Sequence, residues 1–545
     1  MLRIINGKLY DPVNRINGET RDICIRDQKI VEGPLPPETE TIDAKGCVVM
    51  PGGIEIHSHV AGAKVNNGRI LCPEDSADHF RAHTEITRSG CNGIVPTTFM
   101  TGYEYARLGY TTLFEAAVPP LKARHAHEEL RDTPILDTGC YTVMGNNYLV
   151  MKALSEPDEI ARIEKLMGVV GWLLNSTKGY AVKIVNPGGV ENWKWNRGLI
   201  DLDIPVPPFD VTPRMIMTGL AEAADKLKLP HSIHLHTNHL GEPGNMAYTL
   251  ETMKALSGSR AHFTHLQFHS YDKSKRGGFA SGAVSIADYF NSHPEFTCDA
   301  GLVVFGPTMT MTADAPMEFK LHQMKGGKWS NLDIEMETGS GVVPVKYQPD
   351  VLVNAVQWCL GLELMLLIND PWRVFLSTDH PNAGPFTSYP LLIKLLMDRD
   401  FRMSWYERLH PKVREYTSLH ELTREYTFEE IAIVTRSGPA RALGLKSRGH
   451  LGAGADADIS IYPLSDDKQK MFSSASYVIK DGRVVVRDGE IKESFSGKAL
   501  GLELPVKGEL AHDLKEYFER YSTVAFSNYR VEEEYTPRLE LIRCG

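Results

Sequence analysis

Short apolar runs alternate with helix-like stretches through most of this chain, and that alternation restricts its fold more than any other feature. Residues 111–117, 180–185, 232–236, 261–268 and 374–378 read as buried strands, and 221–229, Ala-rich with interspersed charges, as a crossover helix. Repeated strand–helix units predict a parallel sheet, because parallel neighbours need a crossover between them. Roughly 380 residues of this pattern are enough for eight units with insertions. The predicted class is therefore α/β, a (β/α)8 TIM-like barrel. The first fifty residues alternate apolar and polar, with turn signals at Asn6-Gly7 and Asp27-Gln28, and end in Cys47-Val48-Val49-Met50. Residues 457–462 and 477–486 have the same character. Strands at both ends predict one small β-sandwich domain contributed by both termini. The expected division is 1–50 for the first part of that domain, 51–435 for the barrel, 436–500 for its second part, and 501–545 for a helical C-terminal extension. Within the last, 509–535 read as helix before an acidic tail, while 300–350, rich in Gly, Thr and Met, read as loops inserted over the barrel mouth.

Composition narrows the function. The 545 residues are 42% hydrophobic and 23% charged, which is ordinary for a globular chain. A net charge of −10 disfavours a nucleic-acid groove or an anionic membrane surface. No run of eighteen apolar residues predicts a membrane span, and the first residues do not read as a signal peptide. None of the eight cysteines forms a CxxC, so reduced thiols in a cytoplasm are expected rather than zinc ribbons or iron–sulfur clusters. Gly452-Ala453-Gly454 lacks the third glycine and the following helix of a dinucleotide fingerprint.

Lys183 lies in Gly179-Tyr180-Ala181-Val182-Lys183-Ile184-Val185-Asn186. An amine in an apolar strand is costly unless it is paired or chemically changed. Pairing with a carboxylate is the commoner solution. The other is a carbamate, formed when the neutral amine attacks CO2, whose two oxygens can bridge metals about 3.5–4 Å apart. His57 and His59 share one face of the strand opened by Pro51-Gly52-Gly53, at the end where such barrels carry their sites. They read either as zinc ligands or as hydrogen-bonded core histidines. His234 and His236 share a face, and depth favours His236; His265 and His269 also share one, and spacing alone does not separate them. His125 and His127 sit in a helical context, where a two-residue step turns side chains about 200° apart; they read as solvent or substrate-loop residues. Lys178 reads as a solvated loop lysine. Asp379 ends the strand-like run 373–378, either capping the next loop or binding metal and accepting the proton of an attacking water.

In order, these residues resemble the amidohydrolase superfamily, in the binuclear, carboxylated-lysine subgroup that includes hydantoinases and dihydroorotases. The turn Gly452-Ala453-Gly454-Ala455-Asp456-Ala457-Asp458 resembles that superfamily's return to its β-domain. A closer resemblance spans essentially the whole chain. It is to the A subunit of formylmethanofuran dehydrogenase and its bacterial counterpart, the hydrolase subunit of the formyltransferase/hydrolase complex of methylotrophs. Carrying it are Ala61-Gly62-Ala63-Lys64-Val65-Asn66, Pro96-Thr97-Thr98-Phe99-Met100-Thr101-Gly102-Tyr103, Gly109-Tyr110-Thr111-Thr112, and Lys183-Ile184-Val185-Asn186-Pro187-Gly188-Gly189. Further stretches are His231-Ser232-Ile233-His234-Leu235-His236, Thr264-His265-Leu266-Gln267-Phe268-His269-Ser270, Glu337-Thr338-Gly339-Ser340-Gly341-Val342-Val343-Pro344 and Asp379-His380-Pro381-Asn382-Ala383-Gly384-Pro385-Phe386. His380 stands where the archaeal pattern has serine, which leans toward the bacterial branch.

The resemblance implies two Zn2+ held by His57, His59, N6-carboxylated Lys183, His236 and His265, with Asp379 as base and further ligand. It implies hydrolysis of N-formylmethanofuran or formylmethylofuran to formate and the free amine, in a cytoplasmic complex that includes a formyltransferase. Asn146, Asn147 and the 300–350 segment are candidate substrate walls. Three other readings stand beside it: an archaeal dehydrogenase component running formate condensation, a non-catalytic scaffold, and a cyclic-amide hydrolase.

Overall fold

The computed structural model describes residues 1–197, 201–332, 339–504 and 508–544. Glu337 and Thr338 of the resembling stretches lie outside the described residues. The predicted barrel is present. Its strands, numbered here in barrel order, are β1 Gly53–Ser58, β2 Tyr110–Val118, β3 Asp137–Val143, β4 Ala181–Val185, β5 Ile233–His236, β6 Ala261–Phe263, β7 Phe296–Asp299 and β8 Val374–Phe375. Each pairs in parallel with the next. β1 and β8 meet without a ladder: Ser58 bridges His380, the His59 amide donates to the His380 carbonyl at 2.7 Å, and the Ser377 hydroxyl donates to the His57 carbonyl at 2.9 Å. The strands are buried on both faces, as expected of a sheet lined inside by side chains and covered outside by helices such as Glu159–Thr177, Pro213–Lys226 and Leu352–Leu367.

Both ends of the chain build a separate mixed sheet of nine strands. Cys47–Pro51 from the N-terminal part pairs with Ile459–Pro463 from the C-terminal part. The sheet has its own apolar cluster, including Ile4, Ile25, Val49, Ile459, Ile461 and Ile479. Asp27 and Gln28, both at positive φ, form the tight turn between Ile16–Arg26 and Lys29–Val31. Asn6-Gly7 is different: it lies inside the long strand Leu2–Asp11, where the register slips between Ile4 and Gly7, so it is a bulge and not a turn.

Two other expectations are corrected. The helix expected over 509–535 spans Gly508–Tyr521; two single 3₁₀ turns follow, then a strand, Leu539–Arg543. That strand pairs in parallel with Ala499–Glu503, which lies on the lower part of β3, so the C-terminal extension widens the barrel sheet. The segment over the mouth is a folded insertion and not loops. Gly306–Thr312 and Ser340–Tyr347 form an antiparallel pair, Ser330–Leu332 adds a third strand, and helix Ala315–Lys325 packs on them. Alternating Met309, Met311, Val342 and Val343 bury this sheet, a period-2 signal masked in sequence by its threonines.

Candidate metal centre

Register places the histidines. In parallel strands, paired residues face the same way, and Lys183 pairs with His234, which pairs with His262. These three form one rung of the barrel interior. Val185 pairs with His236, one layer nearer the C-terminal end. His265 and Asp379 lie just beyond β6 and β8, and with Asn186 beyond β4 they have φ of +34°, +49° and +42°. Three non-glycine residues in the left-handed region, all at strand ends of one barrel face, mark backbone turned to present side chains to a site.

The expected ligands converge. His57 Nε2 lies 2.8 Å and His59 Nε2 3.1 Å from Asp379 Oδ1. Potential donor atoms of His57, His265 and Asp379 fall within 4.8 Å of one another, as do those of His236, His265 and His269. His265 therefore joins the two groups. His269 stays alongside it, its Nδ1 2.9 Å from the Thr237 hydroxyl, so geometry retains both members of the pair that spacing left open. His236 belongs to the mouth layer and His234 to the rung beneath.

A test of whether a cation fits here comes from unpartnered atoms. His57 Nε2, Lys183 Nζ, His265 Nδ1, His269 Nε2 and Asp379 Oδ1 are all buried and make no hydrogen bond. Such groups are rare and costly in a protein interior. Clustered imidazole nitrogens and a carboxylate oxygen are a donor set suited to a divalent ion. Burial pushes His236 down and His265 and His269 well below the usual histidine range, leaving the neutral rings that bind metals. His57 is pushed down by burial, but the Asp299 and Asp379 carboxylates reverse this and raise it, so the local field favours positive charge. Lys183 is 1% exposed; burial pushes its amine down to about 7, against the pull of Asp379 and Asp299.

The sequence reading missed the carboxylates behind the ligands. Glu115 of β2 accepts from His59 Nδ1 at 3.1 Å, Lys64 Nζ at 2.9 Å, and the Val60 and Ala61 amides at 2.6 and 2.9 Å. Burial alone would raise its pKa, but Lys64 and His59 overcome that and hold it at about 2. It is the one charged residue in a nine-residue buried strand, the same signal that singled out Lys183. Asp299, ending β7 as Asp379 follows β8, contacts His57 Nδ1 at 3.2 Å and accepts from the His265 amide at 2.8 Å. Asp314 comes from the insertion: it caps helix Ala315–Lys325 and lies 3.1 Å from His236 Nε2. No local pattern predicted that contact.

Other expectations resolve differently. Asn146 donates to the Val185 and Asn186 carbonyls at 2.9 and 3.0 Å and accepts from the Glu191 amide, so it braces two loops. Asn147 caps helix Tyr148–Leu154 through Leu149 and Val150 amides. Both carboxamide oxygens are committed to backbone, which argues against their role as a substrate wall. His125 is half exposed, but His127 is not a solvent residue: it is buried on helix Ala123–Asp132, 2.8 Å from the Thr177 carbonyl and outside the metal cluster. Lys178 is the left-handed C-cap of helix Glu159–Thr177.

The comparisons agree with this geometry. The model of the amidohydrolase family matches residues 40–486. The chain is 47% identical to Protein FwdA of Methanocaldococcus jannaschii, covering 99% of this chain and 98% of that one. It is 38% identical to the A subunit of the formyltransferase/hydrolase complex Fhc of Methylorubrum extorquens, covering all of both. The crystal structure of the Methylorubrum extorquens formyltransferase/hydrolase complex with methylofuran superposes on the whole chain with a TM-score of 0.93 at 37% identity. Of the two relatives the archaeal one is the more identical, whereas His380 leaned toward the bacterial branch. A barrel with a histidine, lysine and aspartate cluster at its C-terminal end, matched over its length by these proteins, belongs to the amidohydrolase family.

Proposed function

We propose that this chain hydrolyses N-formylmethanofuran or formylmethylofuran to formate and the free amine, as the A subunit of a cytoplasmic complex that includes a formyltransferase and involves neither nucleic acid nor membrane. The observation that carries the reading is the group of unpartnered buried donors around Lys183 and Asp379 at the barrel's C-terminal end. Full-length similarity to the Fhc hydrolase component, and the methylofuran in that complex, support the substrate. Among the described residues no helix is long and apolar enough to cross a membrane.

His57, His59, Lys183, His236, His265 and Asp379 would hold two divalent ions, zinc in our reading. When bound, they polarise the formyl oxygen and acidify a water. Lys183 enters as a carbamate: its neutral amine bonds to the carbon of CO2 and loses one proton, leaving an anion with two oxygens. An amine titrating near 7 supplies that neutral form at neutral pH, which an ordinary lysine at about 10.4 does not. Asp379 takes the proton of the attacking water and delivers it to the amide nitrogen as the C–N bond breaks, so the amine leaves neutral. Glu115 and Asp314 hold His59 and His236 in place.

The test is Asp379→Ala in the assembled complex. Formate release should fall by at least about a thousandfold, within the range general acid–base loss gives; near-normal turnover rejects the reading. The 47% identity to Protein FwdA favours a second reading, the A subunit of an archaeal formylmethanofuran dehydrogenase, where the same site runs toward condensation. The composition of the native complex separates them. A formyltransferase chain indicates the first, and tungsten or molybdenum with iron–sulfur subunits the second.

A further inference from the structure

Beneath the metal cluster lies a second group of histidines that the proposed chemistry does not use. His231, His234 and His262 are all buried, with His234 and His262 stacked at 4.4 Å between ring centroids. Their contacts form a line. His231 Nδ1 is 2.8 Å from the Ala442 carbonyl, His231 Nε2 is 3.0 Å from His234 Nδ1, and His234 Nε2 is 2.9 Å from His57 Nδ1. Asp299 flanks the end of this line, its Oδ2 3.2 Å from His57 Nδ1 and 3.2 Å from His262 Nε2.

The direction of the hydrogen bonds follows from one end. A carbonyl oxygen only accepts, so His231 carries its proton on Nδ1. A neutral ring then has an acceptor at Nε2, which His234 fills by donating from Nδ1. His234 in turn accepts at Nε2, and the donor left to it is His57 Nδ1. The carboxylate of Asp299 also only accepts, and it meets the same Nδ1. Burial, which pushes His231 down to about 3 and His234 well below the usual range, keeps both rings neutral as this order requires.

We infer that His231, His234 and Asp299 are positioning residues that fix His57 with its proton on Nδ1 and its Nε2 lone pair turned to the metal cluster. Asp299 does a second task by holding the His265 amide at 2.8 Å, so one carboxylate orients two of the proposed ligands. The inference rests on the reading of His57 as a ligand. It adds that the barrel's lower interior, beneath the mouth layer, selects which nitrogen binds.

The test is cobalt binding by the full-length protein, equilibrated with bicarbonate, in wild type, His231→Phe, His231→Gln and Asp299→Asn. Affinity is measured by chelator competition and geometry by the visible cobalt absorption; far-UV circular dichroism and thermal unfolding report folding. Removing such outer partners costs about 10–100-fold in metal affinity. The expected result is about tenfold weaker binding in His231→Phe with an altered spectrum, and up to about a hundredfold in Asp299→Asn. His231→Gln, which still donates to the carbonyl and accepts from His234, should recover most of the affinity. A folded His231→Phe or Asp299→Asn with wild-type affinity and spectrum overturns the inference alone. Equal losses in His231→Phe and His231→Gln overturn the directional argument. A wild type that binds no metal overturns the proposed function and this inference together.

Discussion

Lys183 is held by no hydrogen bond in a layer where its strand neighbours on β5 and β6 are histidines, and its amine titrates near 7. Two expectations follow at this scale. Replacing an unpaired buried amine with an apolar side chain removes a desolvation penalty. Lys183→Met should therefore unfold, metal-free, at a temperature no lower than wild type while binding well under half the wild-type metal; calorimetry and elemental analysis report both. The second concerns pH. A folded pKa lowered to about 7 means the CO2-reactive neutral amine grows in as pH rises through 7 and is nearly complete by about 8. Bicarbonate-dependent metal loading should climb between about pH 6 and 8 and then level off. A climb that continues toward the ordinary lysine pKa of about 10.4 would mean the amine is not desolvated in solution.

At the scale of elements, the insertion is joined to the site more firmly than a surface loop. The Met311 amide donates to Asn382 at 2.5 Å, the Thr308 hydroxyl donates to the Pro381 carbonyl, and Asp314 ties the N-terminus of helix Ala315–Lys325 to Asn186 and His236. Asp314→Ala removes a helix cap worth about 1 kcal/mol and frees His236. A modest loss of stability with a much larger fall in kcat/KM, measured by thermal scans and formate release, is expected. Equal, small effects on both would show that the insertion only covers the barrel. The strand ends behave similarly: β6 and β8 are short, and the turned backbone at His265 and Asp379 is held by the Asp299 carboxylate and the Ser377 hydroxyl.

Across the whole molecule, one buried charge network joins barrel, β-domain and C-terminal extension. Lys480 Nζ lies 3.0–3.2 Å from Asp481, Asp137 and Asp458, and Arg448 is 2.9 Å from Asp137 and 2.8 Å from Glu540. Asp137 starts β3, Lys480 belongs to the terminal sheet, and Glu540 to the added strand. Removing one partner leaves buried carboxylates uncompensated, which costs about 3–5 kcal/mol. Lys480→Met should lower the unfolding midpoint by several degrees in a denaturation experiment, with metal stoichiometry unchanged in the surviving folded protein. An unchanged midpoint would mean the three regions are held by apolar packing alone.

Much of this was legible from local pattern. Strand and helix periods predicted the barrel, because strands buried on both faces are continuously apolar and their crossovers are not. A two-residue step predicted that His57 and His59 share a face, and the cost of burying an amine singled out Lys183. Glu115 was within reach of the same reasoning. The tertiary structure decided the rest. Whether His265 or His269 faces the cluster, how Asp299 and Asp314 reach rings far away in sequence, and where the C-terminal strand joins the barrel all depend on contacts between residues tens to hundreds of positions apart. Chain pattern carries the period of an element and the cost of burying a side chain. It does not carry the distance between two elements, and hydrogen bonds, ion pairs and metal sites are set by that distance.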